Sequence, residues 1–258
     1  MGLRRGRSTR GRGNIHLQDT VNCVNLNFER SGELTMATTF PDAPVTDVDG
    51  LDLAAMLCSR LCHDLLSPVG ALSNGLELLA EEKDPEMRQR CFELLEQSAK
   101  SSADKLRFFR LAFGAAGGFD AMVPVAEARS VIEGLIGSAG RITLEWMVSA
   151  DALPKSAVKV LLNFALMGIE ALVRGGTLAI AAELLEGRTE IVVRATGTRI
   201  AFDPTIGAAL DGSLPVAELS SRTAAAAMIH QLARSHGGHV QFARDEGALV
   251  LGADLPAA

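Results

Sequence analysis

Residues 57–79 read LCSRLCHDLLSPVGALSNGLELL, and their spacing decides the architecture of the first half of the chain. Continued a little upstream, apolar residues recur at Ala54, Cys58, Leu61, Leu65, Val69, Leu72, Leu76 and Leu79. Steps of three and four put them on one side of an α-helix, with Asp52 as a candidate N-cap. A second series follows at Met87, Cys91, Leu94, Ser98, Ser101, Lys105 or Leu106, Phe109 and Phe113. Between the two lies EEKDPE, a link with Pro85 that is short enough to force an antiparallel pair. Helices of about 30 residues run roughly 45 Å, and an isolated pair leaves half its apolar surface wet. Leu66, Leu78, Phe92 and Leu95 widen the stripe beside the seam. The expectation is a homodimer in which residues 50–114 of two chains build a four-helix bundle.

His63 stands apart from this stripe. At about 100° per residue it points roughly 140–160° away from Cys58 and Leu65, on a face shared with Met56, Ser59, Arg60, Ser67 and Gly70. An outward imidazole is an accessible nucleophile near neutral pH, the kind that phosphoryl transfer needs. Asp64 is placed to accept one ring N–H, fix the tautomer and direct the other nitrogen outward. Pro68 has no N–H for the Asp64 carbonyl one turn earlier, so it is expected to bend the helix just after His63. Gly70 keeps the surface beneath the imidazole low.

These residues carry a resemblance. HDLLSP is similar to the H-box of sensor histidine kinases, and the longer stretch quoted above resembles the ChpT family of histidine phosphotransferases; the likeness extends, more weakly, over residues 45–258. It implies a dimeric phosphorelay protein in which His63 carries the phosphoryl group and Asp64 orients it. A receiver domain would dock against Ser59, Arg60, Ser67, Gly70 and Asn74 and bring its own Mg²⁺, so that this chain binds no cofactor and no metal. The implied donor is the receiver of a hybrid histidine kinase of the CckA type. The implied acceptors are response regulators of the CtrA and CpdR type. Two rivals remain at this point: an ATP-dependent histidine kinase, and a non-catalytic dimeric adaptor that holds receivers.

The Gly-rich stretch GAAGGFD at 114–120 marks a junction, dividing a helical hairpin (46–116) from a second domain (117–258). Beyond it the pattern predicts a helix over 124–137, a strand over 142–148, a helix over 156–174 and strands over 177–184 and 189–195. A helix over 218–235 and a hairpin of 239–244 with 248–255 complete it. Long helices covering one face of a sheet make an α/β two-layer sandwich, which resembles the histidine kinase ATP-binding domain. Several nucleotide positions are degenerate. In KVLLNFALMGIEAL, residues 159–172, Asn163 matches the N-box, but Met167 puts a thioether where Mg²⁺ wants oxygen. In ATGTR, residues 195–199, Gly197 is retained, whereas Ala195 replaces an aspartate and Arg199 a glycine. Thr223 and Ala225 replace glycines whose bare backbone would cradle phosphates. The expectation is a docking domain that binds no nucleotide. His230, His236 and His239 read as surface or packing residues, Glu133 and Glu170 as solvated helix positions, and Gly237–Gly238 as a helix C-cap.

Composition sets the remaining bounds. The chain has 258 residues, 48 % of them hydrophobic, enough for a sizeable core. No apolar run approaches the roughly 20 residues of a membrane span, so a cytoplasmic protein is expected. The first 13 residues carry five arginines among Gly and Ser, a composition that builds no core. Residues 1–45 are expected to be a disordered tail, or upstream sequence preceding a start at Met36. Six of the 25 basic and three of the 31 acidic residues lie in the first 35, leaving −9 beyond. An acidic body speaks against nucleic acid as a ligand. Cys58, Cys62 and Cys91 read as small core residues in a reducing compartment, since nothing pairs with them at metal-ligand spacing.

Overall fold

The computed structural model describes residues 48–114, 121–137 and 140–256. The tail, Cys23 within it and most of the glycine junction fall outside these residues. Two long helices come first, α1 (Gly50–Glu81) and α2 (Pro85–Phe113). Asp49, rather than Asp52, caps α1, its carboxylate accepting from the Leu51 N–H at 3.0 Å. Asp52 lies in the first turn, where its charge suits the helix dipole. Asp84 caps α2 by accepting from Glu86 and Met87, and Pro85 occupies the first helical position, where no N–H is needed.

The covered line of α1 runs Leu61, Leu65, Pro68, Leu72, Gly75 and Leu79, advancing by four and three as a helix–helix seam does. At Gly75 the two helices come close enough that a Cβ would stand 2.8 Å from Leu95 Cδ2. The other half of the expected stripe is not covered. Ala54, Cys58, Val69 and Leu76 are exposed in the single chain, together with Leu66 at 70 %, Leu78, Phe92, Leu94 and Leu106. Cys58 and Cys62 lie on this open side too, so of the three cysteines among the described residues only Cys91 is a core residue. One neighbouring helix cannot bury a stripe this broad.

At its base the hairpin enters the body of the molecule. Phe108, Phe109, Leu111 and Ala112 belong to one continuous core with the second half of the chain. Phe108 meets the rings of Phe109 and Phe113 edge-on, with centroids 5.6 and 6.1 Å away. Aromatic pairs of this kind contribute about 0.5–1.5 kcal/mol beyond their burial.

A short strand β1 (Met122–Pro124) pairs antiparallel with β3 (Ala152–Pro154), bracketing helix α3 (Val125–Ile136) and strand β2 (Ile142–Val148). Helix α4 (Lys155–Ala171) is followed by β4 (Gly176–Leu185), β5 (Arg188–Thr196), α5 (Pro204–Asp211), a 3₁₀ turn (Val216–Glu218), α6 (Ala224–Ser235), β6 (His239–Arg244) and β7 (Ala248–Pro256). The five-stranded sheet has the order β2-β4-β5-β7-β6, parallel between β2 and β4 and antiparallel elsewhere. Leu178, Ile180, Ile191, Val193, Leu249 and Leu251 alternate toward α4, whose Val158, Leu161, Leu162 and Ala165 are fully buried. The result is the two-layer mixed sandwich expected from the strand and helix order.

Four elements depart from the sequence reading. Helix α5 and strands β1 and β3 were not expected, and α6 starts at Ala224 rather than 218. Its approach is held instead by local bonds: the Ser220 N–H donates to Thr223 Oγ1 at 3.0 Å, and the Ala224 N–H to the Ser220 carbonyl at 2.9 Å. The C-cap at Gly237 is as expected. Its φ of 71° is a left-handed value that suits glycine, and the Gly238 N–H closes on the Ala233 carbonyl at 2.8 Å.

Candidate functional site

His63 lies midway along α1 with its side chain 86 % exposed. Its Nδ1 is 3.3 Å from Oδ1 of Asp64, and the other carboxylate oxygen, Oδ2, is 3.4 Å from Nε of Arg60 one turn back. Asp64 therefore divides its two oxygens between an imidazole and a guanidinium. The residues expected to receive a visitor share the ridge: Ser59, Ser67 and Asn74 are exposed. Nothing lies within 4 Å of a Cβ built on Gly70, so the surface there is open.

Helix α1 is continuous through Pro68, which is buried in the seam. The Asp64 carbonyl, deprived of a donor by Pro68, is met from across the hairpin by Lys105 Nζ at 2.7 Å. A charged donor on an otherwise orphaned carbonyl is a strong substitute for the lost bond. The turn bearing His63 is thus pinned to α2 through its own backbone. The sequence placed Lys105 on the seam; its bond to Asp64 is a contact across 41 positions that no local pattern reveals.

Arg60, expected on the docking face, is instead turned toward the second half of the chain, its side chain only 12 % exposed. Besides Asp64 it reaches Glu170 Oε1 in α4 at 2.5 Å and the Arg222 carbonyl before α6 at 3.3 Å. Arg222 in turn lies 3.4 Å from Asp203, the N-cap of α5. Glu170, read from sequence as a solvated helix position, does keep 44 % of its side chain exposed, but its carboxylate also joins the site through Arg60. Partial desolvation where α4 meets the hairpin pushes its carboxyl above the ordinary glutamate range; Arg60 opposes that shift and Asp64 reinforces it.

Most of the residues at the degenerate nucleotide positions are packed within the second domain. Asn163 is fully buried, its amide donating to the Lys159 carbonyl at 2.8 Å. Ala195 and Ala225 are buried, and the buried Thr223 spends its hydroxyl on Ser220. Gly197 lies under the Gly175 backbone, with its N–H donating to Gly247. A cavity of about 480 Å³ does open beside them, but of the seven only Met167 and Arg199 line it, with Phe202, Arg222, Arg244 and Glu170. Asp203 lines it too, and the two carboxylates at its wall are paired with arginines, Glu170 with Arg60 and Asp203 with Arg222.

His230 and His236 are packing residues, as expected: their Nδ1 atoms lie 2.9 Å from the Leu210 and Leu232 carbonyls. Among the described residues, no group of three or more His, Cys, Asp or Glu stands close enough to hold a metal ion. Nor, among the described residues, is any helix long and apolar enough to cross a membrane.

An exposed histidine and acid pair on a helical hairpin, joined to a two-layer sandwich, defines the architecture of a histidine phosphotransfer protein, and comparison with known proteins agrees. Residues 125–248 match the family model "Histidine phosphotransferase C-terminal domain". Protein phosphotransferase ChpT of Brucella abortus (strain 2308) is 37 % identical over 172 residues, which cover 67 % of this chain and 80 % of that one. A solved structure described as a bacterial phosphotransferase superposes with a TM-score of 0.72 at 30 % identity, over 82 % of this chain and all of that one. A histidine kinase, ThkA, in complex with the response regulator TrrA is more distant, with a TM-score of 0.45 and 14 % identity over 81 % of this chain and 63 % of that one. The chain belongs to the ChpT family of histidine phosphotransferases.

Proposed function

We propose that this protein is the histidine phosphotransferase of a phosphorelay, a dimer in which His63 accepts a phosphoryl group from one receiver domain and passes it to another. The observation that carries the reading is His63 itself: an exposed imidazole on a fixed helix turn, in contact with a carboxylate that is in turn held by Arg60. With Asp64 ionised, the attractive arrangement has the proton on Nδ1 donating to Oδ1, which leaves the Nε2 lone pair facing out. A receiver's aspartyl phosphate then comes in line with Nε2. The N–P bond forms as the acyl phosphate P–O bond breaks, and the receiver aspartate leaves with the electron pair. The ring becomes cationic as it is phosphorylated, and the Asp64 carboxylate beside it offsets that charge.

Such a transfer passes through a loose transition state, so alignment and charge neutralisation are what the protein contributes. Mg²⁺ belongs to the receiver, where it neutralises the phosphoryl oxygens. Transfer to a second receiver reverses the same geometry. The docking ridge is Ser59, Ser67, Gly70 and Asn74, with Arg60 acting from behind it. From the family resemblance, the donor is the receiver of a CckA-type hybrid kinase, the acceptors are CtrA-type and CpdR-type regulators, and the setting is the cytoplasmic control of the cell cycle.

The uncovered stripe is what supports the dimer. Leu66, Val69, Leu76, Phe92 and Leu106 are 48–70 % exposed, so covering the rest of each would contribute about 1–2 kcal/mol, and a second hairpin is the partner of matching shape. ATP-dependent autophosphorylation is not expected, because the positions that would hold nucleotide are filled by Met167, Ala195, Thr223 and Ala225. The test is to mix the full chain with a receiver domain phosphorylated on aspartate and follow the label. The wild type takes it up within seconds and His63→Ala takes up none. Label arriving from ATP without any kinase would favour the kinase reading, and signalling that survives His63→Ala would favour the adaptor.

A further inference from the structure

We infer that Glu170 is a positioning residue for phosphoryl transfer: through Arg60 it holds the Asp64 carboxylate that sets the His63 tautomer, so the second domain governs the reactivity of a histidine it does not touch. The inference rests on the phosphotransfer reading of His63. It also goes beyond it, because it gives the sandwich a part in the chemistry rather than in docking alone.

The chain of contacts is short and continuous. Glu170 Oε1 lies 2.5 Å from Arg60 Nη2, Arg60 Nε is 3.4 Å from Asp64 Oδ2, and Asp64 Oδ1 is 3.3 Å from His63 Nδ1. Arg60 has a long, flexible side chain, and an arginine in water samples many rotamers. Here one end of its planar fork is fixed by Glu170 and the Arg222 carbonyl, which presents the other edge to Asp64. Without Glu170 the guanidinium keeps only a single backbone acceptor outside its own helix. Nothing then holds the carboxylate of Asp64 with one oxygen toward the imidazole. Lys105 fixes the backbone of the same turn, so a loosened Asp64 side chain need not disturb the helix. The three elements that meet at this guanidinium are α1, the end of α4 and the segment leading into α6. The link between hairpin and sandwich is therefore made beside the reactive residue.

A purely structural ion pair would leave the ring itself unchanged, so the test reads the ring. The ¹⁵N shifts of His63 in the full chain report its tautomer, and single-turnover transfer from an aspartyl-phosphorylated receiver domain separates rate from docking. In Glu170→Ala the Nδ1–H form should give way to a mixture. Transfer at saturating receiver should slow about 10-fold, as losses of such supporting contacts typically do, while half-saturation changes less than about 2-fold. Glu133→Ala, which removes an exposed pair with Arg129 elsewhere on the same domain, should change neither and controls for general loosening. Wild-type rate and tautomer in Glu170→Ala would overturn the inference, as would a loss confined to receiver affinity. If the wild type itself takes no phosphoryl group while the tautomer still shifts in the variant, the phosphotransfer reading fails and the positioning link stands.

Discussion

Gly70 and Gly75 lie five residues apart in one helix and answer to opposite constraints. A Cβ on Gly70 meets nothing within 4 Å, whereas on Gly75 it would press against Leu95 of α2. Gly70→Ala should therefore raise unfolding free energy by about 0.5–1 kcal/mol through helix propensity alone, while slowing transfer by crowding the ridge below His63. Gly75→Ala should forgo that gain and cost about 1 kcal/mol through overpacking of the seam. Urea denaturation of the two variants beside wild type measures both. Single residues were legible in the sequence where their role depends on neighbours along one helix. The outward angle of His63 and the adjacency of Asp64 are of that kind. Arg60 was legible only as a basic residue on the same turn, because its decisive partner, Glu170, lies 110 positions away.

The hairpin is the element that carries the site, and Lys105 is the bond that fixes the carrying turn. Its ammonium replaces the donor that Pro68 removes from the Asp64 carbonyl. Lys105→Met keeps the apolar stem and leaves that carbonyl without a charged donor, so it should cost about 1–3 kcal/mol. Chemical denaturation of the variant checks the figure, and an unchanged midpoint would mean that water replaces Lys105 at no cost. The regular elements were legible because their periods are strict. Ile142–Val148 alternates residue by residue, and the sheet strands fall within one or two residues of the expected bounds. Helix α5 was missed because it is only eight residues long, although Asp203 followed by Pro204 is the capping signal that marks its start. The start of α6 was misplaced because Ser220 and Thr223 bond to each other and to the backbone instead of continuing the helix.

At the scale of the whole molecule the single chain leaves a broad apolar surface open along α1 and α2, above the base where Phe108 and Phe109 enter the common core. Sedimentation should find a dimer at micromolar concentration. Leu66→Glu combined with Phe92→Glu should yield a folded monomer, since both side chains lie on the open face and away from the core; a monomeric wild type would contradict the bundle. The joint between hairpin and sandwich was the least legible feature of the sequence. Helix α4 shows why: Asn163, at a nucleotide position, is buried, whereas Glu170 two turns on reaches the hairpin through Arg60. The account depends most on the chemistry of one imidazole, and the direct measurement is peptide mapping of the full chain by mass spectrometry after brief incubation with an aspartyl-phosphorylated receiver domain. The account predicts an acid-labile phosphoryl group on the peptide containing His63, lost on chase with a second, unphosphorylated receiver. A modification on any other residue, or none on His63 while the receiver loses its phosphate, would contradict it.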